Sequence, residues 1–182
     1  MKKSSAILFT LLGLAGQSQA GLIQATGTGT INFSGTVTAT TCDVLVNGES
    51  ADGNVILPTV SDSQLSTASW TAGRTTFELA LQNCEGALKT ASAFFEAGPG
   101  VDANGRLRNL TGTAQNVALQ LREGSGSFNP IVAGSSGQVS NAIYYTVTNG
   151  AATLPYSVEY YAMGAASAGT VVSNVVYSLQ YK

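Results

Sequence analysis

Cys42 and Cys84 are the residues with the most redox and metal-binding chemistry open to them. Zinc takes four tetrahedral ligands, and the chain has no histidine to complete such a site, so two thiolates are too few. In an oxidising compartment a single disulfide is the default state for the pair, with free thiols as the weaker alternative. Acid–base catalysis has as little to work with: no His, no Ser followed by a recognisable base, and no carboxylates paired at a telling spacing. The chain does not read as an enzyme, and it calls for no cofactor or metal. Asp102-Ala103-Asn104-Gly105 opens like a calcium loop but lacks the further oxygen ligands and the distal Glu, so it reads as a turn. Gly27-Thr28-Gly29 lacks the third glycine and the following helix of a dinucleotide site. Asn32-Phe33-Ser34 and Asn109-Leu110-Thr111 fit the glycosylation pattern, which is short, frequent by chance and tied to eukaryotic secretion. Trp70, Tyr144, Tyr145, Tyr160 and Tyr161 could stack on a sugar, although aromatic residues in strands more often pack in a core or on a sheet.

The compartment follows from the first residues. Lys2 and Lys3 precede an apolar stretch from Ala6 to Ala15 and the small-residue site Ser18-Gln19-Ala20, which together read as a secretory signal over residues 1–20. That stretch is short of the roughly 20 apolar residues that span a bilayer. Export also supplies the oxidising conditions a disulfide needs. Removing the signal takes two of the eight basic residues and none of the ten acidic ones, leaving a net charge of −4. No basic cluster remains, which argues against nucleic acid as a partner. The remaining length, about 160 residues, suits one domain with a real core.

The elements that position these residues read as strands almost throughout, because apolar residues recur with period two rather than 3.6. The predicted fold class is all-β. Strands are expected at Val55–Pro58, Thr75–Gln82, Ser92–Glu96, Ala114–Arg122, Ala142–Thr148, Ser157–Met163 and Thr170–Tyr181. Asn149-Gly150 is the strongest hairpin signal, and Asn47-Gly48 and Asp102-Ala103-Asn104-Gly105 mark further turns. Many short strands with one disulfide suggest a two-sheet sandwich.

Both ends of the exported chain lack charge: residues 21–42 carry none, nor do residues 160–181. Chain ends ordinarily tolerate charge, whereas a strand that pairs closely with another chain is better without it. In the first segment Gly27, Gly29, Ile31, Phe33, Gly35, Val37 and Ala39 share one parity, with Thr28, Thr30, Asn32, Ser34, Thr36 and Thr38 on the other. That is a strand with one face to bury. An ordinary first strand of the sandwich would fit as well, but its glycines weaken a strand unless something must approach closely. In the last segment Gly169, Val171, Ser173, Val175, Tyr177, Leu179 and Tyr181 share a face, and the chain stops at Lys182. If that strand borders an unfilled groove, its unpaired N–H and C=O groups form an aggregation-prone edge.

These residues resemble the chaperone–usher pilins, the subunits of type 1 and P pili, over essentially the whole chain. Gly29-Thr30-Ile31-Asn32-Phe33-Ser34-Gly35-Thr36-Val37, followed by Cys42, looks like the family's N-terminal extension leading into the first strand. Phe77-Glu78-Leu79-Ala80-Leu81-Gln82-Asn83-Cys84 is similar to the second strand, which ends in the cysteine that pairs with the first. Leu107-Arg108-Asn109-Leu110-Thr111-Gly112-Thr113-Ala114 resembles the segment before a central strand of major pilins. Tyr160-Tyr161-Ala162-Met163-Gly164-Ala165-Ala166 leads to Gly169, fourteenth from the end, and to the penultimate Tyr181, as in the family's C-terminal recognition motif.

The resemblance implies an incomplete immunoglobulin-like β-sandwich of six strands, missing the seventh, over residues 40–182, preceded by an N-terminal donor-strand extension over residues 21–39. It implies a groove beside the last strand, formed by Gly169, Val171, Val175, Tyr177, Leu179, Tyr181 and Lys182. A periplasmic chaperone would lend a strand to that groove and hold the C-terminal carboxylate. An outer-membrane usher would then exchange it for the extension of another pilin subunit, whose Ile31, Phe33 and Val37 fill the groove while Gly35 meets a shallow part of it. The expected product is a homopolymeric extracellular pilus serving adhesion, with any host glycan receptor engaged through its tip. The alternative is a tip adaptor or minor subunit with a glycan-binding role of its own. Cys42 falls on the polar parity of the first segment, so either a bulge near Thr40-Thr41 shifts the phase or the bridge lies near the domain edge.

Overall fold

The computed structural model describes residues 30–35, 41–87 and 89–182. The signal expected over residues 1–20 and most of the extension expected over residues 21–39, including Val37, lie outside the described residues. The chain divides into two units, Met1–Thr36 and Val37–Lys182. In the first, residues 30–35 form neither helix nor strand, and Ile31 and Phe33 are 76% and 91% exposed.

The second unit is a two-sheet β structure. Its strands are β1 (Thr41–Val46), β2 (Thr71–Glu85), β3 (Thr90–Phe95), β4 (Leu107–Arg108), β5 (Val117–Glu123), β6 (Tyr145–Thr146), β7 (Ala152–Ala162) and β8 (Tyr177–Tyr181). β4 and β6 are two-residue stubs, which leaves six strands of five or more residues. One sheet has the order β1-β2-β7-β5-β4 and the other β6-β3-β8, and all the pairings are antiparallel. Period-two patterning decides what each strand buries. Phe77, Leu79 and Leu81 of β2, Leu119 and Leu121 of β5, and Leu154, Tyr156 and Val158 of β7 face Ala91, Ala93 and Phe95 of β3 across the core.

Tyr156 ties the two sheets together. Its ring meets Phe95 edge-on at 5.1 Å, and its hydroxyl accepts the N–H of Ala93 at 2.8 Å. Burial pushes the phenol up to about 12, while hydrogen bonds from Ser92 and Ala93 pull the other way. On the outer face of the same strand Glu159 is buried, and its carboxylate accepts the Nε–H groups of Arg74, at 2.8 Å, and of Arg122. Two cations on one carboxylate offset the cost of taking it from water.

Turn chemistry behaves as the sequence predicts. Asn149 and Gly150 both have positive φ, 52° and 74°, and Thr148 and Ala151 exchange backbone hydrogen bonds across them, a type I′ turn. The Asp102 carboxylate accepts the N–H groups of Asn104 and Arg106, closing the turn that reads superficially as a calcium loop. Two small elements were not expected. One is a helix, α1 (Gly137–Asn141); the other is a 3-10 turn, Asp62–Leu65, started by a capping box between Ser61 and Gln64. Among the described residues no helix is long and apolar enough to cross a membrane.

Candidate functional site

Among the described residues β8 is the edge strand of its sheet, paired on one side only, with β3. Lys182 and Thr90 exchange both backbone bonds, and Glu96 N–H donates to Val176 C=O at 2.8 Å. In an antiparallel ladder the alternate residues turn their polar groups the other way. Tyr177, Leu179 and Tyr181 therefore aim N–H and C=O at the open edge, while the same three side chains pack on the core.

Upstream, residues 170–176 stay extended but leave the β-ladder, a departure from the single strand expected over Thr170–Tyr181. The reason is local. Beyond Glu96, β3 no longer runs alongside, and the segment from Asn109 to Ala114 takes its place. Ala114 and Leu110 N–H groups donate to Thr170 and Val172 C=O, and the side chains of Thr113 and Asn109 accept the N–H groups of Thr170 and Val172. Side-chain oxygens thus stand in for a neighbouring strand. Thr170 and Val172 are served in this way. Val171, Ser173 and Val175 make no backbone hydrogen bond among the described residues. Gly169 is required by the close approach of these segments: its φ is +156°, and a Cβ there would collide with Ala114 N and lie 2.7 Å from Thr113 Oγ1.

The opposite wall is the segment expected as a strand at Val55–Pro58. Its burial alternates, with Val55 and Leu57 against the core and Ile56 87% exposed. It forms no ladder: among the described residues no backbone group of residues 53–60 is hydrogen-bonded. Between the walls runs a groove of about 380 Å³ whose floor includes Phe77, Leu79, Phe95, Leu119 and Leu121, residues of the core itself. Cavities of about 630 Å³ beside Gly169–Val172 and about 150 Å³ beside Tyr181 and the cysteines extend the line along the final strand. Tyr177 spans the gap, donating its hydroxyl to Ala51 C=O at 2.7 Å. Burial raises its pKa, and the nearby Asp52 charge adds to the effect.

The structure brings Gly169, Val171, Val175, Tyr177, Leu179 and Tyr181 to one edge and puts Lys182 at its end, where Nζ donates to Val139 C=O at 3.0 Å. Ile31, Phe33 and Gly35 lie in the other unit, and Val37 outside the described residues. Ser173 was not singled out, yet its buried Oγ lines the groove with no partner among the described residues. Its shared parity with Val171 and Val175 was the available signal. Cys42 and Cys84 are bonded to one another. The β1–β2 register shifts between Thr41 and Asp43, so a bulge at Cys42 changes the phase, and the half-buried Cys42 packs on the core.

A domain with core residues open beneath an unpaired strand edge invites comparison with known proteins. The family model of the type-1 fimbrial protein, A, matches residues 57–182. The chain belongs to the type-1 fimbrial protein family. The major fimbrial subunit SMF-1 of Stenotrophomonas maltophilia (strain K279a) is 42% identical over 158 residues, covering 84% of this chain and 92% of that protein. The F17 fimbrial protein of Escherichia coli is 33% identical over 162 residues, covering 85% of this chain and 87% of its own. The crystal structure of the P pilus rod subunit PapA shares the fold, with a TM-score of 0.59 at 19% identity over 78% of this chain and 99% of that one. This pilin is therefore a structural subunit of an extracellular fimbria, exported through the periplasm and polymerised with other pilins, and not an enzyme. Its incomplete immunoglobulin-like sandwich is the fold the family resemblance implies.

Proposed function

We propose that the groove between residues 53–60 and 170–181 accepts a β-strand from outside the domain, lent first by a periplasmic chaperone and then, at an outer-membrane usher, by the extension of the next subunit. The observation that carries this is the coincidence, at Val171, Val175, Tyr177, Leu179 and Tyr181, of half-buried apolar side chains with backbone groups aimed at an open edge. One added strand would satisfy both needs at once, the ladder bonds giving affinity and alternate side chains giving specificity. Residues 1–20 act as the signal, residues 21–39 as the donor and residues 40–182 as the acceptor domain. Ile31, Phe33 and Val37 supply the apolar face; burying them contributes on the order of 5 to 8 kcal/mol before ordering costs. Gly35 lies on the same face and suits a shallow part of the groove. The chaperone's basic groups hold the carboxylate of Lys182. A relative named as a major fimbrial subunit favours a repeating shaft position over a tip adaptor, so a host glycan receptor is met through other subunits at the tip.

Deleting residues 21–38 from the exported chain should leave a subunit that still binds its chaperone but cannot extend a fibre. Pili of normal length from cells expressing only that deletion would refute the donor role.

A further inference from the structure

Two carboxylates of the larger sheet are buried, Glu159 and Glu123, at 2% and 5% exposure. A buried charge is normally paired, and Glu159 has its two arginines. Glu123, the last residue of β5, has no ion-pair partner among the described residues. Its Oε1 accepts the N–H of Ile143 at 3.2 Å, and its Oε2 is buried with no hydrogen-bond partner among the described residues. Burial raises its pKa, while the bond from Ile143 pulls the other way. Taking up a proton does not resolve the conflict, because it turns an unmet acceptor into an unmet donor.

Strand exchange makes no use of this group, which lies across β3 from the groove. Thr90 and Glu96 bond towards the final strand, so by the alternation of an antiparallel ladder Ala93 and Phe95 turn their polar groups to the other edge. There the Ala93 N–H meets the Tyr156 hydroxyl, and the Phe95 N–H meets Gln138 Oε1 of α1 at 2.9 Å. Glu123 lines a cavity of about 430 Å³ along that edge. Residues 129–131 form one side of it, held by bonds from Glu123 N–H to Asn129 C=O and from Ile131 N–H to Leu121 C=O, and α1 forms another. Ala93, Ile131 and Ala142 supply an apolar wall, and the exposed Asn129 and Asn141 bring amide oxygens. Lys182, the cation that touches α1, is taken up by the Val139 C=O and the Tyr144 ring.

We propose that this cavity binds a small alkylammonium, its cationic head paired with the Glu123 carboxylate and its hydrocarbon body against Ala93, Ile131 and Ala142. An ammonium carries three donors, enough for the carboxylate and both asparagine oxygens. The volume is that of a small-molecule site, and so is the lining, apolar with a few polar anchors. A divalent metal fits less well. Calcium takes roughly six to eight oxygens, several of them from carboxylates, and no group of three His, Cys, Asp or Glu gathers among the described residues.

The test dialyses native fibres to equilibrium against radiolabelled n-butylammonium in about 0.15 M NaCl, where a Debye length of roughly 8 Å screens attraction to exposed acids. Binding should saturate at one amine per subunit. The uncharged 1-butanol should bind at least about tenfold more weakly, since bonds to a charged group are the stronger ones. Glu123→Gln keeps an oxygen for Ile143 and removes the charge, and should also weaken binding about tenfold or more. Glu49→Gln, at an exposed acid outside the cavity, should leave it unchanged. Competition with Nα-acetyl-lysine methylamide separates the sources of the ammonium: displacement extends the site to lysine side chains, and no displacement confines it to free amines. Binding that rises without saturation, equal affinity for 1-butanol, or an equal loss in Glu49→Gln would overturn the site. If Glu123→Gln fibres do not assemble, the comparison of n-butylammonium with 1-butanol on the parent decides.

Discussion

Strand exchange can be tested one side chain at a time, and Phe33 is the most telling. It is 91% exposed in the described segment, so its whole apolar surface is available for burial when the segment enters a groove. Truncating it to Ala removes about 2 kcal/mol of burial, or roughly 30-fold in affinity. Strand parity places Ser34 on the opposite face, so Ser34→Ala should change affinity less than about twofold, as surface substitutions do. The assay takes the chaperone-bound subunit lacking residues 21–38 and titrates in a peptide spanning residues 21–39, following release of the subunit from the chaperone. The wild-type and Ser34→Ala peptides should release subunit over the same concentration range, with the Phe33→Ala peptide displaced about 30-fold to higher concentration. Equal potency for Phe33→Ala, or an equal loss for Ser34→Ala, would refute the facing assigned here, because neither result is compatible with a strand that buries alternate residues.

Tyr156→Phe strands the buried N–H of Ala93 and should cost about 1 to 3 kcal/mol in urea unfolding of the strand-complemented subunit. The raised phenol pKa adds a pH signature: the folded state keeps its proton longer than the unfolded one, so this stability is complete below about pH 10 and is lost as pH rises towards about 12. The Phe variant should lose less of its stability across that window, and parallel slopes for the two proteins would contradict the assignment. Replacing Cys42 and Cys84 by Ala removes a cross-link across a sequence separation of 42 and should cost about 4 kcal/mol by loop entropy, read as a lower urea midpoint. Leu179→Asp with Tyr181→Asp puts charge on the core-facing side of the edge strand and should lower periplasmic yield, measured by immunoblot; an unchanged yield would count against a protected edge.

Much of the groove was legible because strand burial has a period of two. From Val171 to Tyr177 half-buried and exposed residues alternate without a break, as the uncharged C-terminal segment suggested. Asn149-Gly150 was legible because a two-residue turn with both φ positive admits few other residues. Hydrogen-bonding neighbours were not legible. Val55–Pro58 has the composition and alternation of a strand, and its burial follows, but a ladder needs a second backbone that the sequence of one segment cannot report. The same limit hid the substitution of Asn109 and Thr113 side chains for a strand beside residues 170–172. Glu159 sits buried in a run of strand residues, and its two arginine partners are distant in sequence, so nothing local announced the cluster. Ser61 and Gln64 did carry a readable signal, the capping box, in a stretch expected only to connect strands.

A groove open to the core ought to collapse, and the contacts around it explain why the walls can stay apart. The disulfide fixes the start of β1 to the end of β2, and at the other end of β1 Val46 pairs with Leu79, so the chain that leaves for the groove's first wall starts from a position the ladder holds. Tyr156 and Phe95 hold β7 and β3 at a set separation beneath the floor. Asn109, Thr113 and the required glycine at 169 hold the second wall from behind, on the side away from the groove. The Tyr177 hydroxyl links the two walls at a single point. With both walls positioned by contacts that do not involve the incoming strand, docking has only that strand to order, and less of its binding energy is spent on reorganising the acceptor. The same rigidity is a hazard, since an edge that cannot fold away stays open to any free strand. A subunit built in this way gains from never being released with its groove empty, which fits a scheme in which one strand leaves only as another enters.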